Sequence, residues 1–250
     1  MGKCRFMFEN LWKVGVLTAD SEDPNFPVEN TYHRWFTKTW RTANASSIHW
    51  AKLDRGGATP GITAFCCRFN NMYAGEVYLY GNTSDSWTGP AYSQYIVPNN
   101  EIMVKFLSPE QTLRWWMVEV DDQTNPDGFN EFGVFFLGAY FEPLRNYDYG
   151  EDIERVDDSL MKMSEGRQKS SVQRGKFFKK AFGFSHITDA QKLLFDEVFD
   201  EVGYTKDFFF CEDSDDPYNT THYVTFNAFK WKRGDAPDNW KLSIELEESL

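Results

Sequence analysis

Motifs of known chemistry are what this 250-residue sequence most plainly lacks. It contains no GxSxG, P-loop, HExxH or GxGxxG, so no activated serine, phosphate cradle, zinc helix or dinucleotide fingerprint is written in it. Cysteine is scarce. Cys4, Cys66, Cys67 and Cys211 show no CxxC spacing, and as neighbours Cys66 and Cys67 face opposite sides of any strand, so all four read as reduced core residues. His33, His49, His186 and His222 have no metal-ligand spacing. Acidic turns at Asp121–Asp127 and Asp213–Asp216 match no calcium loop, so neither metal nor cofactor is expected. Apolar runs fall short of the roughly 20 residues that span a bilayer, and MGKCRFMFEN has no signal-peptide core, which leads us to expect a soluble product of a cytoplasm without membrane insertion. Positive charge is also in deficit. With 26 Lys and Arg against 38 Asp and Glu, the net charge of −12 repels phosphate backbones and argues against nucleic acid as a partner.

Aromatic residues, by contrast, are abundant: 23 Phe, 12 Tyr and 9 Trp, enough for a sandwich core, a sugar platform or subunit contacts. No helical period is visible over the first 145 or so residues. Short alternating segments punctuated by turns occur instead, at Ile48–Leu53, Ile62–Phe69, Glu76–Tyr80 and Glu101–Leu107. The most legible stretch is Arg114–Pro143. Trp116, Val118 and Val120 alternate with Met117, Glu119 and Asp121, the turn Asn125-Pro126-Asp127-Gly128 reverses the chain, and a second apolar strand carries Phe132, Val134 and Phe136. Gly133 and Gly138 on that strand predict close backbone approach or a bulge.

These patterns predict a mainly β protein: an antiparallel β-sandwich or jelly roll over residues 1–145, a charged linker arm over 146–184, and a small α+β assembly domain over 185–250. The arm reads as either flexible in solution or ordered against a partner, because an acidic block, GEDIERVDD, precedes a basic one with sparse apolar content. A helix should open the last domain. Thr188 can cap it, Gln191 lies three residues on, Leu194, Phe195, Val198, Phe199 and Val202 form a stripe, and Gly203 stops it. Strands are expected at Phe208–Cys211, His222–Ala228 and Trp240–Leu246.

With these elements placed, the sequence resembles virion proteins of tailed bacteriophages that carry an N-terminal galactose-binding-like, discoidin-type jelly roll. The resemblance lies in Asn10-Leu11-Trp12, in KTWRT around Trp40 and Arg41, in IHWAKLD, and most specifically in RWWMVEVDDQTNPDGFNEFGVFFLG, through Arg114, Trp116, Asp122, Asn125, Pro126, Gly128, Gly133, Leu137 and Gly138. A helix, a glycine, the Asp216-Pro217 loop and the acidic ending Glu245–Glu248 match the small C-terminal domain of such proteins. It implies a structural component of a phage tail tip or baseplate, in several copies, partnered by other tail proteins and made in the bacterial host. It implies no catalysis.

Two alternatives come from other classes. A carbohydrate-binding module would contact the host surface through Tyr32, Trp35, Trp40, Arg41 and Trp87, with rings stacking on a sugar and the guanidinium bonding its hydroxyls. A glycoside-active enzyme would rest on Glu119 and Asp121, two apart on one strand face, although such pairs arise by chance in an acidic protein and no catalytic residue is assigned. Assembly contacts are expected from Phe177, Phe178, Phe182 and Phe184, which interleave with lysines.

Overall fold

Period-two alternation in the first 140 residues resolves into two facing antiparallel sheets. The structure, a computed structural model, describes residues 2–35, 37–58, 60–99, 101–234 and 236–249. The strands are β1 (Arg5–Met7), β2 (Val16–Ala19), β3 (Trp40–Arg41), β4 (His49–Asp54), β5 (Ile62–Asn70), β6 (Glu76–Asn82), β7 (Tyr92–Ile96), β8 (Ile102–Gln111), β9 (Trp115–Asp121) and β10 (Glu131–Gly138). They are followed by β11 (Asp152–Asp157), β12 (Leu160–Met163), β13 (Lys169–Val172), β14 (Lys176–Ile187), α1 (Asp189–Val202), β15 (Phe208–Cys211), α2 (Pro217–Thr220), β16 (Thr221–Arg233) and β17 (Trp240–Glu248).

One compact unit comprises Met1–Glu142 with Phe209–Thr221. In it a five-stranded sheet, β2-β4-β9-β6-β7, faces a four-stranded one, β3-β10-β5-β8, as an antiparallel β-sandwich of jelly-roll type. Trp12, Trp40, Phe65, Trp116, Phe132 and Phe135 fill the space between them and are fully buried. Trp116, Val118 and Val120 point inward from β9 as their alternation predicts. β9 and β10 do not pair with each other. β9 lies between β4 and β6, β10 between β3 and β5, so the intervening turn carries the chain from one sheet to the other.

That turn is held by side chains. Asp122 accepts from the Tyr73 backbone N–H at 2.7 Å, and Asn125 Nδ2 donates to the Asn71 carbonyl at 2.9 Å. Gly128 closes the turn at φ +77°, which favours glycine. The glycines of β10 mark close backbone approach, as expected: a Cβ at Gly133 would lie 2.5 Å from the Arg68 carbonyl oxygen, and one at Gly138 would lie 2.3 Å from that of Glu9. Asn10 latches the N-terminal segment to the same strand, donating to the Phe135 carbonyl at 2.7 Å and accepting from the Leu137 N–H at 3.2 Å. All four cysteines are buried thiols outside any disulfide. Cys67 lies in the sandwich core, while Cys66 points the other way, 3.4 Å from Met7 Sδ.

The second unit comprises Pro143–Phe208 and His222–Leu250. Its strands run β16-β17-β14-β11, all antiparallel, and α1 packs on them through Phe195, Val198 and Val202. Thr188 Oγ1 accepts from the Gln191 N–H at 3.3 Å and Gly203 ends the helix at φ +53°, the predicted cap and stop. Leu194 departs from the predicted stripe. It is 44 % exposed, because the buried line of 191, 195, 198 and 202 leaves position 194 at its margin.

The linker arm read over 146–184 is corrected here, since β11, β12, β13 and much of β14 occupy it. The opposite charge blocks that suggested disorder meet each other across the ladder. Glu154 is paired with Lys179 and Asp157 with Lys176, and Lys179 Nζ also lies 2.9 Å from Glu247. Phe182 and Phe184, expected as assembly contacts, are core residues, 6 % and 3 % exposed; Phe182 packs on Tyr147 and Phe184 on Phe195, each at a ring separation of 4.9 Å. Phe177 and Phe178 are half-buried on the same strand, with Phe178 edge-on to His222 at 4.7 Å. Lysines fall on both faces of β14, Lys179 on one and the buried Lys180 beside Phe182 on the other, and so masked the apolar character of the Phe178, Phe182 and Phe184 face.

Candidate functional site

Of the five residues expected to hold a sugar, two, Trp40 and Arg41, are committed inside the fold. Trp40 is fully buried, stacked on Phe132 at 5.7 Å with its Nε1 donating to the Ser21 carbonyl at 3.1 Å. It belongs to the sandwich core. Arg41 is spent internally, with Nε 2.9 Å from Glu131 Oε1 and its guanidinium 3.8 Å from the Phe26 ring centre and 4.8 Å from that of Phe129. Neither can offer a ligand its expected face. Tyr32 and Trp35 are exposed, Tyr32 resting against His33 at 4.9 Å. Trp87, half-buried in the β6–β7 loop, donates from Nε1 to Asp85 at 2.7 Å.

A different aromatic array lies on the outer face of the five-stranded sheet. Because paired residues of an antiparallel ladder point the same way, the register sets Trp50, Glu119, Tyr78 and Tyr95 in one row across β4, β9, β6 and β7. The next row is Lys52, Met117, Tyr80 and Ser93, and beyond it come Asp54, Trp115 and Asn82. Tyr78 and Tyr80 stack 5.9 Å apart with only 12° between their planes, and Tyr95 meets Tyr78 edge-on at 5.6 Å. Tyr95 is exposed, and Trp50, Trp115, Tyr78 and Tyr80 are half-buried, each keeping part of its ring open.

Polar groups are threaded through these rings. Tyr80 Oη donates to Glu119 Oε1 at 3.1 Å and Tyr78 Oη to Glu76 Oε2 at 3.0 Å. Burial, reinforced by the Glu119 charge and this hydrogen bond, pushes the Tyr80 phenol up to about 12; Tyr78 is raised too, chiefly by its bond to Glu76. Lys52 Nζ sits 4.1 Å from the Trp50 ring centre and 3.1 Å from Asp85, the carboxylate that also anchors Trp87. Among the described residues no cation pairs with Glu76, Glu119 or Asp121. Each carboxylate therefore keeps acceptor capacity for further hydroxyl donors.

Glu119 and Asp121, the pair considered for glycoside cleavage, both stand on this open sheet face. Asp121 accepts from Gln123 Nε2 at 2.9 Å and lies opposite Glu76 in the ladder. The acidic turn at 213–216 is occupied by backbone donors: Asp213 Oδ1 accepts from the Asp215 N–H at 3.0 Å and from the Gly2 N–H, which together hold its carboxyl below the usual range. The sheet-face array was not singled out from sequence. Its signal was the alternation Glu76-x-Tyr78-x-Tyr80, which is readable only once the neighbours of each strand are known.

No family model matches the sequence, and no curated protein sequence matches it. Among solved structures the chain is similar to chitosan-binding module 1 of a chitosanase/glucanase from Paenibacillus sp. IK-5, at 15% identity over 52% of this chain and 99% of that one, with a TM-score of 0.44. It is similar to the family 32 carbohydrate-binding module of C. perfringens NanJ in complex with galactose, at 11% identity over 55% of this chain and 99% of that one, with a TM-score of 0.43. A third similarity is to a Clostridium perfringens module, CpGH89CBM32-5, in complex with GalNAc-β-1,3-galactose, at 16% identity over 52% of this chain and 100% of that one, with a TM-score of 0.40.

Proposed function

We propose that this protein is a non-catalytic carbohydrate-binding module whose ligand lies across the outer face of the five-stranded sheet. The observation that carries this reading is the row Trp50, Glu119, Tyr78 and Tyr95, in which partly open rings flank an unpaired carboxylate. A pyranose presents C–H groups on its faces and hydroxyls at its rim. Rings stack on the former while Glu119 and Glu76 accept from the latter, the combination of apolar surface and a few placed polar groups that ligand sites use. The flat geometry suits an extended glycan better than a single sugar.

The test is affinity electrophoresis of the full chain against a set of soluble polysaccharides, followed by calorimetry with oligomers of any that retard it. Trp50→Ala and Tyr78→Ala are each expected to weaken binding roughly two- to twelvefold, on the basis of about 0.5–1.5 kcal/mol per aromatic contact. Tyr32→Ala and Trp35→Ala should leave it unchanged. Retention of full affinity in a Trp50→Ala/Tyr78→Ala double variant would move the site elsewhere, and polysaccharide shortening abolished by Glu119→Gln would turn the reading to an enzyme. Placement of such a module on a phage tail tip or baseplate, with other tail proteins as neighbours, rests on the sequence resemblance over Arg114–Gly138. Detection of the chain in purified particles checks it.

A further inference from the structure

The hairpin β12–β13 continues the β11–β14 pair outward, and the Arg174 N–H donates to Ser159 Oγ at 3.1 Å where the two ribbons meet. It is a two-stranded sheet by itself, paired from Leu160 with Val172 to Met163 with Lys169, and all eight strand residues are exposed. Leu160, Met161, Met163 and Val172 are 45 %, 70 %, 65 % and 62 % exposed. Each face of the ribbon combines apolar side chains with a lysine: Leu160, Val172 and Lys162 on one, Met161, Met163 and Lys169 on the other. An uncovered two-stranded ribbon is marginal in water, and its apolar residues call for a cover. Residues 159–175 hold four cations, Lys162, Arg167, Lys169 and Arg174, against the single carboxylate Glu165, a net +3 within a chain of −12.

The complementary surface is on the outer face of α1. Leu193, Glu197 and Asp200 follow one another at helical spacing, with Leu194 alongside and Tyr204 just past the Gly203 stop. Leu193, Leu194 and Tyr204 are 64 %, 44 % and 53 % exposed, and Glu197 and Asp200 have no ion-pair partner among the described residues. Both surfaces are therefore mixed apolar patches, of opposite charge.

We propose that the β12–β13 hairpin of one copy docks on the outer face of α1 of a second copy. Lysines of the ribbon meet Glu197 and Asp200, while its Met, Leu and Val side chains cover Leu193, Leu194 and Tyr204. Because every copy carries both halves, the contact propagates or closes into a reciprocal pair. This inference is independent of the carbohydrate site.

Sedimentation velocity on the full chain tests it. The wild type should associate with rising concentration, and less so as salt approaches about 1 M, where charge attraction is screened within roughly 3 Å. Lys162→Glu/Lys169→Glu places an acidic ribbon against an acidic helix, and Glu197→Lys/Asp200→Lys places a basic helix against a basic ribbon. Each double variant alone should lose association at least tenfold. An equimolar mixture of the two should regain it, since both contacts between unlike copies are then complementary. Near-UV circular dichroism verifies that these substitutions of exposed residues leave the fold intact. A wild type that stays monomeric at all concentrations, a double variant that associates like wild type, or folded variants that do not rescue each other overturns the proposal.

Discussion

Arg114 grips Asp54 with two parallel hydrogen bonds, Nε to Oδ1 at 2.6 Å and an Nη to Oδ2 at 2.7 Å, joining the entry of β9 to the end of β4. The fork geometry suits a carboxylate, and a third bond from the Gly56 N–H at 2.8 Å reaches the same Oδ1. The pair borders the aromatic array, with the guanidinium 5.4 Å from the Trp115 ring centre.

Asp54 is expected to make stability acid-sensitive. Hydrogen bonds from Arg114 first, and from Gly56 and the Arg114 charge beside them, hold its carboxyl below the ordinary aspartate value of 3.8, outweighing the opposing effect of burial. A depressed folded-state value means that the stabilisation is fully present above about pH 4 and is lost as pH falls through the folded value. The melting temperature of Asp54→Asn should therefore lie below wild type at pH 7 and converge with it on acidification below pH 4. Parallel curves would show that the pair contributes nothing, as partly exposed pairs sometimes do.

Tryptophans 40 and 50 should separate stability from binding. Trp40→Ala removes a fully buried indole from between Phe132 and Phe135 and is expected to cost about 3–5 kcal/mol in chemical denaturation. Trp50→Ala, on the half-open face, should cost about 1 kcal/mol or less while weakening glycan binding. Equal destabilisation by the two would mean that Trp50 is a packing residue.

Alkaline titration reports on the array directly. Tyr80 and Tyr92 are both pushed up to about 12 by burial, with Glu119 adding to the effect at Tyr80 alone. Tyrosinate absorbance should show a late step that shrinks in Tyr80→Phe. In Glu119→Gln the Tyr80 contribution should move down but stay above the ordinary tyrosine value, because the carboxylate charge is gone while burial, the larger cause, remains. An unmoved step in Glu119→Gln would place Tyr80 outside the reach of that carboxylate.

A fragment ending at Tyr147 should be less stable than the expected jelly-roll boundary near residue 145 implies. The compact unit also contains Phe209–Thr221, whose β15 residues pair with β1 through Phe6 with Phe210 and Met7 with Phe209. Phe209 and Phe210 are 1 % exposed, so their loss removes roughly 1.5–3 kcal/mol of burial each and uncovers Phe6 and Phe136. Calorimetry of the fragment beside the full chain checks this. A fragment with an undiminished melting transition would make β15 dispensable.

Local physics alone determined much of this protein. Alternation placed β9 and the buried face of β17, a threonine cap and a glycine stop bounded α1, and glycines without a phosphate spacing marked close packing on β10. These signals are carried within a few residues, so no partner need be known. Tertiary structure alone decided what each aromatic does. Trp40 precedes Arg41 and Trp50 stands two residues before Lys52, yet one is sealed between sheets and the other opens outward, because strand pairing, rather than composition, selects the face. The charged stretch 146–184 misled for the same reason. Its acidic and basic blocks are complementary only across a ladder between β11 and β14, and the apolar face of β14 acquires meaning only when Phe184 meets Phe195 of the helix that follows. The row Trp50, Glu119, Tyr78 and Tyr95 draws one residue from each of four strands, and its paired members Trp50 and Glu119 lie 69 positions apart, a relationship that no local window of sequence contains.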